Sequence, residues 1–242
     1  MTPTRRSRRR TRTVMSVVAA VLAVAAAVVL VVAVRGQHHA PQPPASAAHP
    51  AAEGNLAAPA PSSNSPERSA DSSRKTPAPA RTVGPILDRS TPVSLSLPKI
   101  GIEDAPLAKF GLNKHDEIAI PPSKANTPAG WFTGSPTPGQ LGPSVIAGHV
   151  DSDAGPSIFF KLGQLRAGDR ASVALADHKV AVFEVDSVER FKKSEFPTLR
   201  VYGNLDHAGL RLITCGGAYD TSIHHYVDNI VVYAHLVSSH PA

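Results

Sequence analysis

The chain opens on two contrasting patterns before any regular alternation begins. Val14 to Val34 is a run of 21 uncharged residues, almost all Val, Ala or Leu. As a helix it is long enough to span a bilayer, and it exceeds the usual apolar stretch of a cleaved signal peptide. From Gly36 to Pro92 the periodicity vanishes into Ala, Pro, Ser and scattered charge, with eleven of the 23 prolines between Pro41 and Pro92. Such a segment cannot bury enough apolar surface to offset its ordering entropy, so residues 35–92 are predicted to be a disordered tether.

From Val93 onward hydrophobic and polar residues alternate in short runs. Strands are predicted at Val93–Leu97, Ile100–Ile102, Glu117–Ile120, Gly130–Phe132, Ser144–Gly148, Arg170–Leu175, Lys179–Glu189, Leu210–Cys215 and Asn229–Leu236. In Lys179–Glu189 the residues Val180, Val182 and Val188 keep one parity. Ile158–Leu165 is the one stretch that reads as a short helix, and Pro136–Pro143 as a loop. Many short strands with Pro/Gly punctuation predict an all-β sandwich or barrel over residues 93–237.

Charge changes the picture at the amino terminus only. The chain has 25 Lys and Arg against 19 Asp and Glu, and six of the arginines lie in residues 1–13. The remaining 19 basic side chains balance the acids, so no basic face is implied downstream and nucleic-acid binding loses its support. The arginines fix an orientation by the positive-inside rule: a cytoplasmic tail over 1–13, a transmembrane anchor over 14–34, and everything after Arg35 outside. A cleaved Ala-rich signal is the alternative, and it too exports the rest of the chain.

Cys215 is the only cysteine, and outside the cytoplasm it has no internal disulfide partner. It ends the strand Leu210–Cys215, on the face shared by Arg211 and Ile213, and Gly216-Gly217 opens the backbone beside it. One reading is a small core hydrophobe; the other is a reachable nucleophile. His149 likewise follows a strand that ends in glycine, and an imidazole can take a thiol proton and return it to a leaving amine. Asp151 is placed to orient the ring or to cap a turn. His224 and His225 lie near the cysteine, but the spacing fits no common zinc pattern, and no metal or cofactor is expected. Trp131 reads as core; Tyr219 reads as groove lining or core.

Val145-Ile-Ala-Gly-His149 and Leu212-Ile-Thr-Cys215 resemble the two signatures of sortases, membrane-anchored cysteine transpeptidases of Gram-positive cell envelopes. The similarity extends from Val93 to Leu236. The Gly-His-Val-Asp-Ser and Thr-Cys-Gly-Gly runs are most similar to the actinobacterial class F branch, with class E next. The resemblance implies an eight-stranded β-barrel with one or two short helices, Cys215 as nucleophile and His149 as its acid/base partner. It also implies two partners: an LPxTG-like sorting signal and an amine acceptor of a cell-wall precursor. One departure stands out. Sortases carry an arginine about a dozen residues after the cysteine, where this chain has His225-Tyr-Val-Asp-Asn229, with Val227 or Asp228 at the matching position. No Lys or Arg follows Cys215. Arg211, on the cysteine's strand face, is the candidate substitute for the oxyanion or substrate contact. Hydrolysis on the same scaffold and non-catalytic peptide binding are the alternative functions.

Overall fold

The computed structural model describes residues 40–48, 83–114, 118–119, 122–124 and 126–242. The basic tail, the apolar run 14–34, most of the tether and half of the expected strand Glu117–Ile120 lie outside these residues. Among the described residues no helix is long and apolar enough to cross a membrane. Ile118 forms an isolated bridge with Leu112.

Eleven strands follow in chain order: β1 (Pro92–Leu97), β2 (Ile102–Pro106), β3 (Ala108–Phe110), β4 (Gly130–Phe132), β5 (Gly142–Ala147), β6 (Asp151–Ser152), β7 (Gly155–Pro156), β8 (Arg170–Leu175), β9 (Lys179–Lys192), β10 (Ala208–Asp220) and β11 (His225–Pro241). β6 and β7 form a small ribbon, and the others make one sheet in the order β2-β1-β8-β9-β11-β10-β5-β4-β3. This is a nearly closed all-β barrel. The sheet has nine strands rather than the expected eight because Ile102–Phe110 divides at Leu107. Leu107 donates its N–H to Val93 O (2.8 Å), whereas Ala108 donates to Ala129 O (2.9 Å). The two halves thus pair with opposite edges of the sheet, β2 with β1 and β3 with β4.

The barrel interior holds Leu95, Leu97, Ile146, Phe159, Leu162, Phe183, Leu210, Leu212, Ile230 and Val232. Alternation along β10 sends Leu210 and Leu212 inward and leaves Arg211 and Ile213 outside. On β9 the parity differs from the expected one. Ala181, Phe183 and Val185 point inward, and Val188 joins them only because the pairing with β11 skips a residue at Asp186. A bulge of this kind moves every later side chain to the other face.

Helix is scarce. Leu162–Gln164 is a single 3-10 turn inside the stretch expected to be helical. The α-helix, α1 (Thr198–Tyr202), lies instead between β9 and β10. Pro197 precedes it and Gly203 ends it; a Cβ on Gly203 would collide with the Leu199 carbonyl oxygen.

Two stretches of the expected tether pack on the barrel. Ala47 is buried in the core, and a Cβ on Gly163 would strike the Pro41 carbonyl oxygen. The described residues from Ala40 onward belong to one compact unit. Closer to β1, Val83 donates its N–H to Asp206 O (2.8 Å).

Candidate active site

Strand register builds an outer face in rows. β10 runs parallel to β5 with Arg211 beside Val145 and Ile213 beside Ala147. On its other flank it runs antiparallel to β11, with Arg211 opposite Tyr233, Ile213 opposite Val231 and Cys215 opposite Asn229. β9 then sets Ser187, Glu189 and Phe191 beside Tyr233, Val231 and Asn229. The lower two rows are covered. Val145, Ala147, Ile213, Val231 and Tyr233 pack with Val201 of α1, and Phe196 packs against them.

The top row is open. Gly148 N–H donates to Ile213 O (3.1 Å), the bond that closes the last pair of the parallel ladder, Ile213 with Ala147. β10 carries on to Cys215, and His149 follows the end of β5 by two residues, so the two lie beyond the same end of this parallel pair. Both side chains are half-buried, as an attacked thiol and its proton partner need to be. The top row therefore reads Cys215, Asn229, Phe191 across three strands, with His149 in the segment that leaves β5.

A clasp holds the two halves of the row together. Tyr226 Oη donates to the Asp151 carboxylate, joining the start of β11 to the segment just after His149. The carboxylate that sequence reasoning set beside His149 thus accepts a phenol. Burial first, and then this carboxylate, push the Tyr226 pKa upward. Tyr219 stacks edge-on against Tyr226 at 5.2 Å and stays exposed. Trp131 is in the core, its Nε1–H donating to Ser135 Oγ (3.1 Å) and Pro136 O (3.0 Å).

Arg211 sits two rows below the cysteine. Four residues of strand correspond to about 13 Å. Its guanidinium lies 4.7 Å from the Tyr233 ring centroid, and Nη1 donates to Leu210 O (3.1 Å). Its Nε is buried without a partner among the described residues. Burial lowers its pKa to about 10. Arg200 stacks on the same tyrosine at 4.5 Å and grips buried Glu189 with both Nη atoms (2.6 and 2.5 Å). Sequence reasoning missed this Arg200–Glu189 pair, because α1 was not foreseen.

Behind the cysteine the backbone turns. Gly217 adopts φ +76°, where a side chain is strained, and a Cβ there would meet Asp228. The Gly217 N–H donates to Gln42 Oε1 (3.0 Å), so the packed part of the amino-terminal segment ends up two residues from the sulfur. His224 and His225 are exposed at the hairpin end, with His225 opposite Asp220. Among the described residues no three His, Cys, Asp or Glu side chains gather as a metal site would require. Beside Asn229 and Phe191 opens a cavity of about 670 Å³ lined by Arg190, Phe191, Lys192, Ala218, Val227 and Asp228.

Residues 95–237 match the sortase domain family. No curated protein matches the chain in sequence. Among solved structures the chain is similar to sortase A of Listeria monocytogenes, with 19% identity, 64% of this chain and 92% of that one covered, and a TM-score of 0.44. It is similar to the SrtA sortase of Actinomyces oris at 19% identity, over 67% and 89% of the two chains, with a TM-score of 0.46. Sortase C-3 of Streptococcus pneumoniae gives 20%, 64% and 66%, and 0.47.

Proposed function

The chain belongs to the sortase family, and from that premise we propose that it is a membrane-anchored cysteine transpeptidase acting on an LPxTG-like sorting signal. Sortases are cysteine transpeptidases that act on cell-wall sorting signals. What supports the reading at particular residues is the parallel β5–β10 pair, beyond one end of which lie two half-buried residues, Cys215 on β10 and His149 two residues past β5.

The chemistry follows from that pair. The Cys215 thiolate attacks the threonine carbonyl carbon of the signal, and the carbonyl electron pair moves onto oxygen. Collapse of this oxyanion breaks the C–N bond, and His149 gives a proton to the leaving glycine amine. An envelope amine then attacks the thioester, His149 takes its proton, and the thiolate departs. Water in place of the amine gives hydrolysis. The apolar rows beneath are covered by Val201 and Phe196, so the signal lies along the open row above them. Arg211 belongs to the covered rows, stacked on Tyr233 two rows from the cysteine.

Residues 14–34 are the anchor in this proposal, with residues 1–13 in the cytoplasm and the barrel outside. The Gly-His-Val-Asp-Ser and Thr-Cys-Gly-Gly runs assign it to class F of Gram-positive actinobacteria.

The test is mass spectrometry of the protein with an LPxTG peptide, with and without an oligoglycine amine. Wild type should carry the acyl group as a thioester, and product should switch from acid to amide when the amine is added. Cys215→Ala should carry nothing. His149→Ala should lose about 100- to 10,000-fold in turnover and still bind peptide, because proton transfer is what it removes. A wild-type protein that binds sorting peptides without ever forming a thioester would leave the peptide-binding function in place of the enzyme.

A further inference from the structure

We propose that Asn229 supplies the side-chain hydrogen bond to the oxyanion formed at Cys215; this rests on the transpeptidase reading above. An acyl transfer at the cysteine places negative charge on the former carbonyl oxygen, and a donor fixed beside that oxygen is the largest single contribution such sites make. The usual cationic candidates are spoken for. No Lys or Arg follows Cys215 in the chain. Arg200 is tied to Glu189, Arg190 to Asp228 (3.4 Å), and Arg211 lies two rows down under α1.

Asn229 is the residue directly opposite Cys215 in the β10–β11 ladder. Directly opposed residues in an antiparallel pair project from the same face, with Cβ atoms about 4.5–5.5 Å apart. The rows below bear this out, since Ile213 with Val231 and Arg211 with Tyr233 share one outer face. Asn229 is half-buried, and its carboxamide makes no hydrogen bond among the described residues. A carboxamide offers two N–H donors. Phe191 stands next to it in the row, on the β9 side.

The order of the row matches the two demands of the reaction. A tetrahedral carbon on the cysteine sulfur carries a leaving nitrogen that needs a proton and an oxygen that needs a donor. His149 follows the end of β5, which flanks β10 on one side, and Asn229 lies on β11, which flanks it on the other. Nitrogen toward the one and oxygen toward the other is the arrangement both require. No atom is gained or lost at Asn229: it lends a hydrogen bond as the C–S bond forms and withdraws it as the C–N bond breaks.

The experiment compares Asn229→Asp and Asn229→Ala with wild type in the full chain, using an LPxTG peptide and an oligoglycine amine. Three quantities are read: kcat and KM, the rate of Cys215 alkylation by iodoacetamide, and Tm. Asn229→Asp keeps shape while replacing donors by acceptors. Both variants should lose about 100- to 1,000-fold in kcat with KM nearly unchanged, since the bond exists only in the transition state. Alkylation of Asn229→Ala should proceed at the wild-type rate, because displacement of iodide builds no oxyanion; the Asn229→Asp rate is compared at a pH where the thiol is fully ionised, since its added carboxylate disfavours the thiolate. A role in merely holding the cysteine would slow both reactions together, and that result overturns the proposal. So does a folded Asn229→Asp protein within a few-fold of wild-type kcat. If wild type forms no thioester while its cysteine alkylates normally, the transpeptidase reading fails and Asn229 falls with it; an active wild type beside an active Asn229→Asp sinks Asn229 alone.

Discussion

The clasp between Tyr226 and Asp151 yields a prediction that needs no substrate. It links residues 75 positions apart, joining the β10–β11 hairpin to the segment carrying His149. A hydrogen bond to a carboxylate contributes about 1.5–3 kcal/mol, and the half-exposed position of both groups argues for about 1.5. Tyr226→Phe and Asp151→Asn, singly and together, form a double-mutant cycle. Urea unfolding should give about 1–1.5 kcal/mol for each single change and hardly more for the pair, leaving a coupling of similar size. The pH dependence has a definite sign. The phenol donates only while protonated, and its pKa is raised above the ordinary 10.0 in the folded chain, by burial first and Asp151 second. The stabilisation is therefore complete below pH 10 and is lost as pH rises through the raised value. The gap between wild type and Tyr226→Phe should close in alkali. Coupling below about 0.3 kcal/mol would show that the two groups act independently. A gap that widens with pH would refute the direction of the shift.

Arg211→Met should keep kcat within a few-fold and leave stability within about 1 kcal/mol, because a buried cation whose Nε has no hydrogen-bond partner among the described residues is replaced by an apolar chain of similar length. A hundredfold fall in kcat with Tm intact would return Arg211 to the oxyanion. Gly163→Ala should push Pro41 away and draw Gln42 off Gly217, costing about 1 kcal/mol for the lost hydrogen bond. Amide exchange at Gly217 should then quicken; unchanged exchange would mean that the segment holds the glycine by other means.

Much of the barrel was legible because period-two alternation is a local signal. β1, β4, β5 and β8 fall within a few residues of their expected positions, and the parity of Arg211, Ile213 and Cys215 is the observed one. What escaped lies at irregular places. In the β10–β11 hairpin, Asp220 pairs with His225 and Tyr219 with Tyr226; carried on without interruption, this register would put Ile230 opposite Cys215. A register shift between Gly216 and Tyr219, with Gly217 at positive φ, makes the partner Asn229 instead. A single bulge residue thus decides which side chain faces the sulfur, and no periodicity reveals it. The Asp186 irregularity reversed the parity expected for β9 in the same way. The packing of Ala47 and Gln42 was hidden for another reason. Composition reports the average of a Pro/Ala/Ser-rich segment, whereas docking needs only an alanine that fits and a carboxamide that reaches a bare N–H.

The division of Ile102–Phe110 at Leu107 governs how the barrel breathes. Elsewhere around the circumference the long strands are bonded along both flanks, but here each half of one bent strand pairs on a single side: β2 with β1, β3 with β4. The circle is completed by covalent continuity through one residue rather than by a ladder. Local opening follows the path with fewest backbone bonds to break, so amide exchange is expected to be fastest at this seam and slowest in β9, β10 and β11. Trp131, the only tryptophan and 3% exposed, pairs with Lys109 at that edge. The indole is thereby a built-in reporter of the first fluctuation that lets solvent into the core, on the opposite flank of β5 from the strand that carries the cysteine.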